Sequence, residues 1–254
     1  STRNAYCFFT PEMNQRASAR MQLNNDLRHA VERREFVLHY QPIVSLAQGG
    51  LSGFEALVRW QHPERGLVPP ERFIPIAEET GLILPLGSWV LDEACRTMRG
   101  LHQRFPHSDH VSVAVNLSGR QFEDGELMGS VTRALEESQL HPSRLELEMT
   151  ESVVMARTRE NAERLHSLRD LGIRLLIDDF GTGYSSLSSL QSFPLDSLKI
   201  DRTFVSRMEF DAEKREIVRT IVALARTLEM EVVAEGIETA EQLAMLRDLG
   251  CEYG

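Results

Sequence analysis

The chain has 254 residues, 42% of them hydrophobic, and 38 acidic residues against 28 lysines and arginines give a formal charge of −10. That length and apolar fraction suit one large domain with its own core better than two equal ones. The acidic balance argues against a nucleic-acid polymer or an anionic membrane surface, since both are held through basic stripes, but it leaves room for a small phosphorylated ligand served locally.

Residues 1 to 12 read as irregular, and Met13 to Arg34 follows as a polar helix whose stripe of Leu23, Leu27, Ala30 and Val31 enters the domain like a linker. Phe36 to Tyr40 is a strand running into Gln41-Pro42, where a missing backbone donor marks an edge or a strand end. Gln48-Gly49-Gly50 turns the chain back into Phe54 to Trp60, so the first two strands form a hairpin. In the second, Glu55 and Arg59 share one face, with Phe54, Ala56, Val58 and Trp60 on the other. An unpaired internal charge costs several kcal/mol. Either these two pair with each other or with solvent, or something polar sits between the layers.

Strand and helix then alternate, which predicts a mostly parallel sheet covered by helices. The helices are Pro69 to Thr80, Pro85 to Phe105, Asp124 to Gln139, Thr158 to Leu171, Asp211 to Leu228 and Thr239 to Leu249. The strands among them are Val111 to Asn116, Leu145 to Met149, Ile173 to Asp179, Leu195 to Asp201 and Glu231 to Glu235. Cys251 to Gly254 opens an eighth strand that is cut short. Neighbours in a strand point apart, so Asp178 and Asp179 converge only where the strand breaks, as Gly181 and Gly183 favour. Cys7, Cys95 and Cys251 share no Cys-x-x-Cys spacing and read as reduced packing thiols of a cytoplasmic protein. No apolar run approaches the roughly 20 residues that span a bilayer and no signal peptide is legible, which describes a soluble piece whose parent can still be membrane-tethered.

Strand after strand carries a polar residue near its C-terminal end: Glu55, Asn116, Glu148, Asp178 with Asp179, and Glu235, with Lys199 and Arg59 as nearby cations. In (β/α) barrels that end holds the chemistry, because its loops bring groups from several strands together. Oxygen donors without histidine or cysteine form a hard-ligand set, suited to Mg²⁺ or Mn²⁺ and unsuited to zinc. Crowded carboxylates repel and take up protons unless neutralised. Two divalent ions roughly 3.5 to 4 Å apart, sharing an aspartate, would neutralise them and are the pair used in phosphoester hydrolysis. The histidines share no spacing and read as surface or packing residues. Asp179-Phe180-Gly181 invites comparison with the kinase metal triplet, but the glycine-rich nucleotide loop is missing, and Gly181 to Ser185 lacks the lysine of a Walker loop.

At these residues the sequence closely resembles the EAL-domain family of cyclic di-GMP phosphodiesterases. The matching motifs are Tyr40-Gln41-Pro42-Ile43-Val44, Glu55-Ala56-Leu57-Val58-Arg59-Trp60, Asn116-Leu117-Ser118, Glu148-Met149-Thr150-Glu151, Asp178 to Leu187, Lys199-Ile200-Asp201 and Ala234-Glu235-Gly236-Ile237-Glu238, from about residue 20 onward. The resemblance implies a modified TIM (β/α)8 barrel, α/β in class, with an antiparallel first strand and here a truncated last one. It implies two Mg²⁺ or Mn²⁺ ions on Glu55, Asn116, Glu148, Asp178, Asp179 and Glu235, with Asp178 bridging. Glu55, Glu235 and Lys199 would then be catalytic, Lys199 holding or activating the attacking water. Arg59 would clamp a phosphate and Gln41 would contact substrate. Glu151 and Asp201 would support the site from behind, Glu151 by steadying the Asp178 to Leu187 loop often found at a dimer interface. Residues 1 to 20, Tyr6 to Asn14 in particular, resemble the tail of a GGDEF-like domain, so that residues 21 to 254 form the EAL domain of a signalling protein with upstream sensory domains. The family pattern continues past Tyr253-Gly254 with a glutamine that contacts the site. The implied activity is hydrolysis of cyclic di-GMP to linear pGpG in bacterial second-messenger signalling, by a homodimer. One rival is a receptor that binds cyclic di-GMP without cleaving it; the other is an enolase-like barrel, which also combines strand-end acids, Mg²⁺ and a lysine.

Overall fold

The computed structural model describes residues 11–155, 159–181 and 190–254. Cys7, the first part of the Tyr6 to Asn14 tail, the expected helix start at Thr158 and the Thr182 to Leu187 part of the loop lie outside the described residues. In chain order come α1 (Pro11–Ala30), β1 (Phe36–Val44), β2 (Leu51–His62), β3 (Gly66–Val68), α2 (Pro70–Thr80), α3 (Ile83–Arg104), β4 (Ser112–Asn116), α4 (Gly119–Glu123) and α5 (Leu127–Ser138). Then follow β5 (Leu145–Thr150), α6 (Glu151–Met155), α7 (Arg159–Asp170), β6 (Arg174–Phe180), β7 (Ser197–Ile200), α8 (Arg202–Val205), α9 (Ala212–Thr227), β8 (Glu231–Ala234) and α10 (Ala240–Leu249). No helix among the described residues is long and apolar enough to cross a membrane. The chain divides into two compact units, Ser1–Val37 with Val58–Leu86 and Leu38–Leu57 with Gly87–Gly254.

In the smaller unit the α1 stripe read from the sequence is buried at Leu23, Leu27 and Ala30. Phe36, Trp60 and Phe73 form an aromatic cluster with ring centroids 5.6 to 5.8 Å apart. The Trp60 indole N–H donates to Glu35 Oε2 at 2.9 Å, so the largest buried side chain leaves no donor unpaired. His62 Nδ1 accepts the Glu64 backbone N–H at 3.1 Å, which places the ring proton on Nε2, 3.1 Å from Asp26 Oδ2 on α1. The three-residue β3 returns antiparallel onto Trp60–His62 through Gly66, whose φ of 68° a β-carbon would disfavour. Sequence periodicity cannot register so short a strand.

The larger unit holds the parallel ladder β2-β4-β5-β6-β7-β8, with β1 beside β2. The β1–β2 hairpin is antiparallel and is closed by the Ser45 N–H on Gly50 O at 2.8 Å. Pro42 lies inside β1, which runs four residues beyond its expected end at Tyr40, to Val44. Tyr253 bridges Ser45 on one side and Val233 on the other. Val44 and Gly254 exchange backbone hydrogen bonds of 2.9 and 3.0 Å, and Ala234 N–H donates to Tyr253 O at 2.9 Å. The truncated last strand expected from the sequence is thus a single bridging residue, and it links the two ends of the sheet. This is the modified TIM barrel with its antiparallel first strand.

Alternation sorts the strand residues. Leu145, Leu147 and Met149 on β5, like Leu175 and Ile177 on β6, are fully buried in the apolar layer. Glu146 and Glu148, Arg174 and Asp178, Ser197 and Lys199 occupy the opposite face in steps of two or four. The lower of these polar positions form one network: Arg174 reaches Glu146 at 3.2 Å, Ser197 Oγ at 3.1 Å and the Glu231 carboxylate, whose other oxygen accepts Tyr253 OH at 3.3 Å. They surround a cavity of only 20 Å³, room for about one water. Cys95 and Cys251 are buried, and burial pushes both thiols up to about 12.

Glu146 is 7% exposed, so removing Arg174 would leave it charged and unpaired. We expect Arg174→Ala to lower the unfolding free energy by about 3 to 5 kcal/mol in a urea titration. A loss below about 1 kcal/mol would assign the network no structural weight.

Candidate active site

The upper polar positions converge because parallel register carries each strand's C-terminal residue to the same rim. Glu55 stands opposite Ala114, two residues before Asn116, and Asn116 is itself opposite Glu148. Asp178 is paired with Thr150, two residues past Glu148, and Lys199 with Val233, two residues before Glu235.

Lys199 is the centre on which they close. Its ammonium, 3% exposed, lies 2.6 Å from Glu235 Oε1, 2.9 Å from Glu148 Oε2, 3.1 Å from Glu55 Oε2 and 3.6 Å from Asp178 Oδ1. Asn116 Nδ2 donates to the remaining Glu55 oxygen at 2.7 Å, which orients both side chains. Glu148 has no exposed side-chain surface. Burial drives its proton affinity well above the usual carboxylate range, Lys199 pulls it back, and Glu55 and Asp178 push it up again. Burial works against the Lys199 charge too, but Glu148, Glu55, Asp178 and Glu235 together outweigh it and hold the pKa well above that of a free lysine. Lys199 is therefore an ammonium that donates hydrogen bonds and does not accept a proton.

Asp178 and Asp179 occur together through a device inside β6. The β6–β7 register slips between Ile177 and Phe180, and Asp179 takes the left-handed φ of 54° with its N–H on Asp178 Oδ1 at 2.9 Å. The break thus precedes the glycines that the sequence offered for it. A bulge admits one extra residue and re-aims its side chain. Asp178, Asp179 and Glu235 consequently bring carboxylate oxygens within 4.8 Å of one another, an acidic cluster of the size that holds a metal ion. Burial, then Asp178 and Asp201, raise the pKa of Asp179; burial raises that of Glu235 against the opposing pull of Lys199.

Glu151, at the start of α6, is buried and accepts the Gly181 N–H through Oε2 at 3.1 Å, pinning the first residue after β6. Asp201 caps α8 by accepting the Thr203 N–H at 3.0 Å. Gln41 lies on an exposed stretch of β1. Arg59, in the smaller unit, donates to Val58 O at 2.9 Å. The sequence also carries Ser118-x-x-Gln121, a capping box that fixes the turn after Asn116, with Gln121 Oε1 accepting from Ser118 Oγ at 2.9 Å.

The donor set fits divalent cations. Glu55, Glu148, Asp178, Asp179 and Glu235 face a single ammonium, so negative charge is left over, and all the donors are hard oxygens. Glu148 Oε1 is buried with no hydrogen-bond partner, an orphaned acceptor next to the excess charge.

These features define an α/β barrel whose strand ends carry an acidic, cation-seeking site around a buried lysine. The family model described as the EAL domain matches residues 24–254, and the chain belongs to that family. A Pseudomonas aeruginosa protein named bifunctional diguanylate cyclase/cyclic di-GMP phosphodiesterase MucR is 50% identical over 249 residues, 98% of this chain and 36% of that protein. The cyclic di-GMP phosphodiesterase NbdA of the same organism is 44% identical over 250 residues, 98% of this chain and 32% of its own. A solved structure described as the PaMucR phosphodiesterase, c-di-GMP complex, aligns with a TM-score of 0.87 at 48% identity, covering 91% of this chain and 93% of that one. The chain spans about a third of the length of these curated relatives.

Lys199→Met should strand Glu148 and Glu55 without a cation. In metal-free buffer we expect a loss of about 3 to 5 kcal/mol in unfolding free energy, part of which millimolar Mn²⁺ restores. Unchanged stability would show that the ammonium does not hold the cluster together.

Proposed function

We propose that this domain hydrolyses cyclic di-GMP to linear pGpG. The observation that carries the reading is the Lys199 cluster, with Glu148, Glu55, Asp178 and Glu235 within 3.6 Å of one ammonium, in a chain of the EAL family. The names of MucR and NbdA and the ligand of the aligned MucR structure support the same substrate.

In this reading Glu55, Asn116, Glu148, Asp178, Asp179 and Glu235 hold two Mg²⁺ or Mn²⁺ ions. When bound, divalent ions supply charge neutralisation and Lewis acidity at a phosphoryl group. The protein's own part is positional. Lys199, held as an ammonium by the carboxylates around it, hydrogen-bonds the nucleophilic water and offers positive charge toward the phosphoryl oxygens. The water oxygen bonds to phosphorus, the P–O3′ bond breaks, and the proton ends on the departing 3′ oxygen, which opens the ring to a linear dinucleotide. Glu151 keeps the chain after β6 in place through Gly181, and so keeps Asp178 and Asp179 aimed. Gln41 and Arg59 as substrate contacts, and assembly as a homodimer, belong to the same proposal. So does the assignment of residues 1 to 20 as the tail of a GGDEF-like domain, in keeping with the bifunctional name of a relative about three times as long.

Incubation with cyclic di-GMP and Mg²⁺ or Mn²⁺ followed by nucleotide chromatography should yield pGpG, with none formed in EDTA. Glu55→Gln, which keeps shape and removes charge, should slow turnover by about 100-fold or more. Saturable binding with the dinucleotide left intact would make the domain a receptor, and full activity in Glu55→Gln would refute its assigned role.

A further inference from the structure

A cavity of 710 Å³ opens beside the N-terminal ends of β4 and β5, between the C-terminal half of α3, the end of α5 and the segment from Gln139 to Arg144. Asn116 and Glu148 stand at the other ends of those strands, roughly 13 Å along β4 at the rise of a parallel strand. The cavity is thus at the other end of these strands from the acidic cluster. Arg99, Arg144 and His141 line it, with His102 and the carboxylates of Asp109 and Glu136 also on its wall.

These donors are held ready. Arg144 is anchored through Nη1, on His110 O at 3.0 Å. His141 Nδ1 lies 2.8 Å from Ser143 Oγ and 3.3 Å from the Ser143 backbone nitrogen, so Ser143 holds that side of the ring. Arg99 Nε is buried with no hydrogen-bond partner, although a desolvated charged donor left unpaired is costly. Beside them Leu135, Leu140 and Pro142 supply an apolar wall. The volume lies within the roughly 300 to 1,000 Å³ usual for small-molecule sites. Guanidinium and imidazole N–H groups do not ligate metals. A planar carboxylate is satisfied by one arginine, whereas a phosphate monoester presents three strong acceptor oxygens and a double charge, enough for two guanidinia and an imidazole.

We propose that this cavity is a second, non-catalytic binding site for a small phosphate monoester with a ring-sized apolar body. Arg99, Arg144 and His141 take the phosphate, and Leu135, Leu140 and Pro142 take the body. The inference does not rest on the reaction proposed for the barrel mouth. Its test is calorimetric titration of the whole chain in EDTA with phenyl phosphate, against inorganic phosphate and benzoate. One saturable site is expected, tighter for phenyl phosphate than for either fragment. Arg99→Gln, and separately the exposed-residue variant His141→Ala, should each weaken it by about tenfold or more while leaving the melting temperature and any cyclic di-GMP turnover unchanged. No saturable binding, tighter binding of benzoate, or undiminished affinity in folded His141→Ala would overturn the proposal.

Discussion

A lysine and a glutamate with almost no access to water impose the condition that the rest of this barrel satisfies. Taking either charge out of solvent alone costs several kcal/mol, and a single partner rarely recovers that loss. Lys199 meets the cost with four carboxylates drawn from β2, β5, β6 and the residue after β8, so the cluster exists only when those strands hold their register. Glu148 meets it incompletely, since one of its oxygens has no partner. The unfinished accounting of charge is the physical reason to expect cations, independent of any family likeness.

The same constraint explains the lower layer. A sheet face that alternates inward at Glu146 and Glu148, or Arg174 and Asp178, places a second polar tier beneath the first. Arg174 ties that tier together internally, with Glu146 and Glu231 as partners and Tyr253 tied to Glu231. The tiers therefore differ in kind: the lower sets two carboxylates about one guanidinium and works as structure, while the upper sets four about one ammonium and keeps the larger excess of negative charge. Tyr253 belongs to both tasks, because its backbone joins β1 to β8 and its hydroxyl joins the lower network.

Much of this was legible in the sequence, for reasons that follow from period and position. Acids at strand ends, with a lysine on a late strand, mark one rim of a parallel barrel because parallel register sends equivalent residues to the same height. The placement of Glu55, Glu148 and Glu235 follows from that alone. Asp179 required a break in the strand, which the sequence placed at Gly181 and Gly183 and the structure places inside β6, as a bulge with a left-handed residue. The closing role of Tyr253 does not follow, because one bridging residue has no period. The three-residue β3 and the short helices α4, α6 and α8 fall below the length at which periodicity speaks, although the Ser118-x-x-Gln121 box announced α4 to a reader of caps. Arg174 was silent as well: an arginine at the start of a strand looks solvated until its partners on β5, β7 and β8 are known.

Anomalous scattering from crystals grown in Mn²⁺ addresses the central claim directly. The account predicts two manganese peaks about 3.5 to 4 Å apart, one of them within coordination distance, about 2.2 Å, of carboxylate oxygens of Asp178, Asp179 or Glu235. Well-ordered carboxylates with no manganese among them, at concentrations that saturate a divalent site, would contradict it.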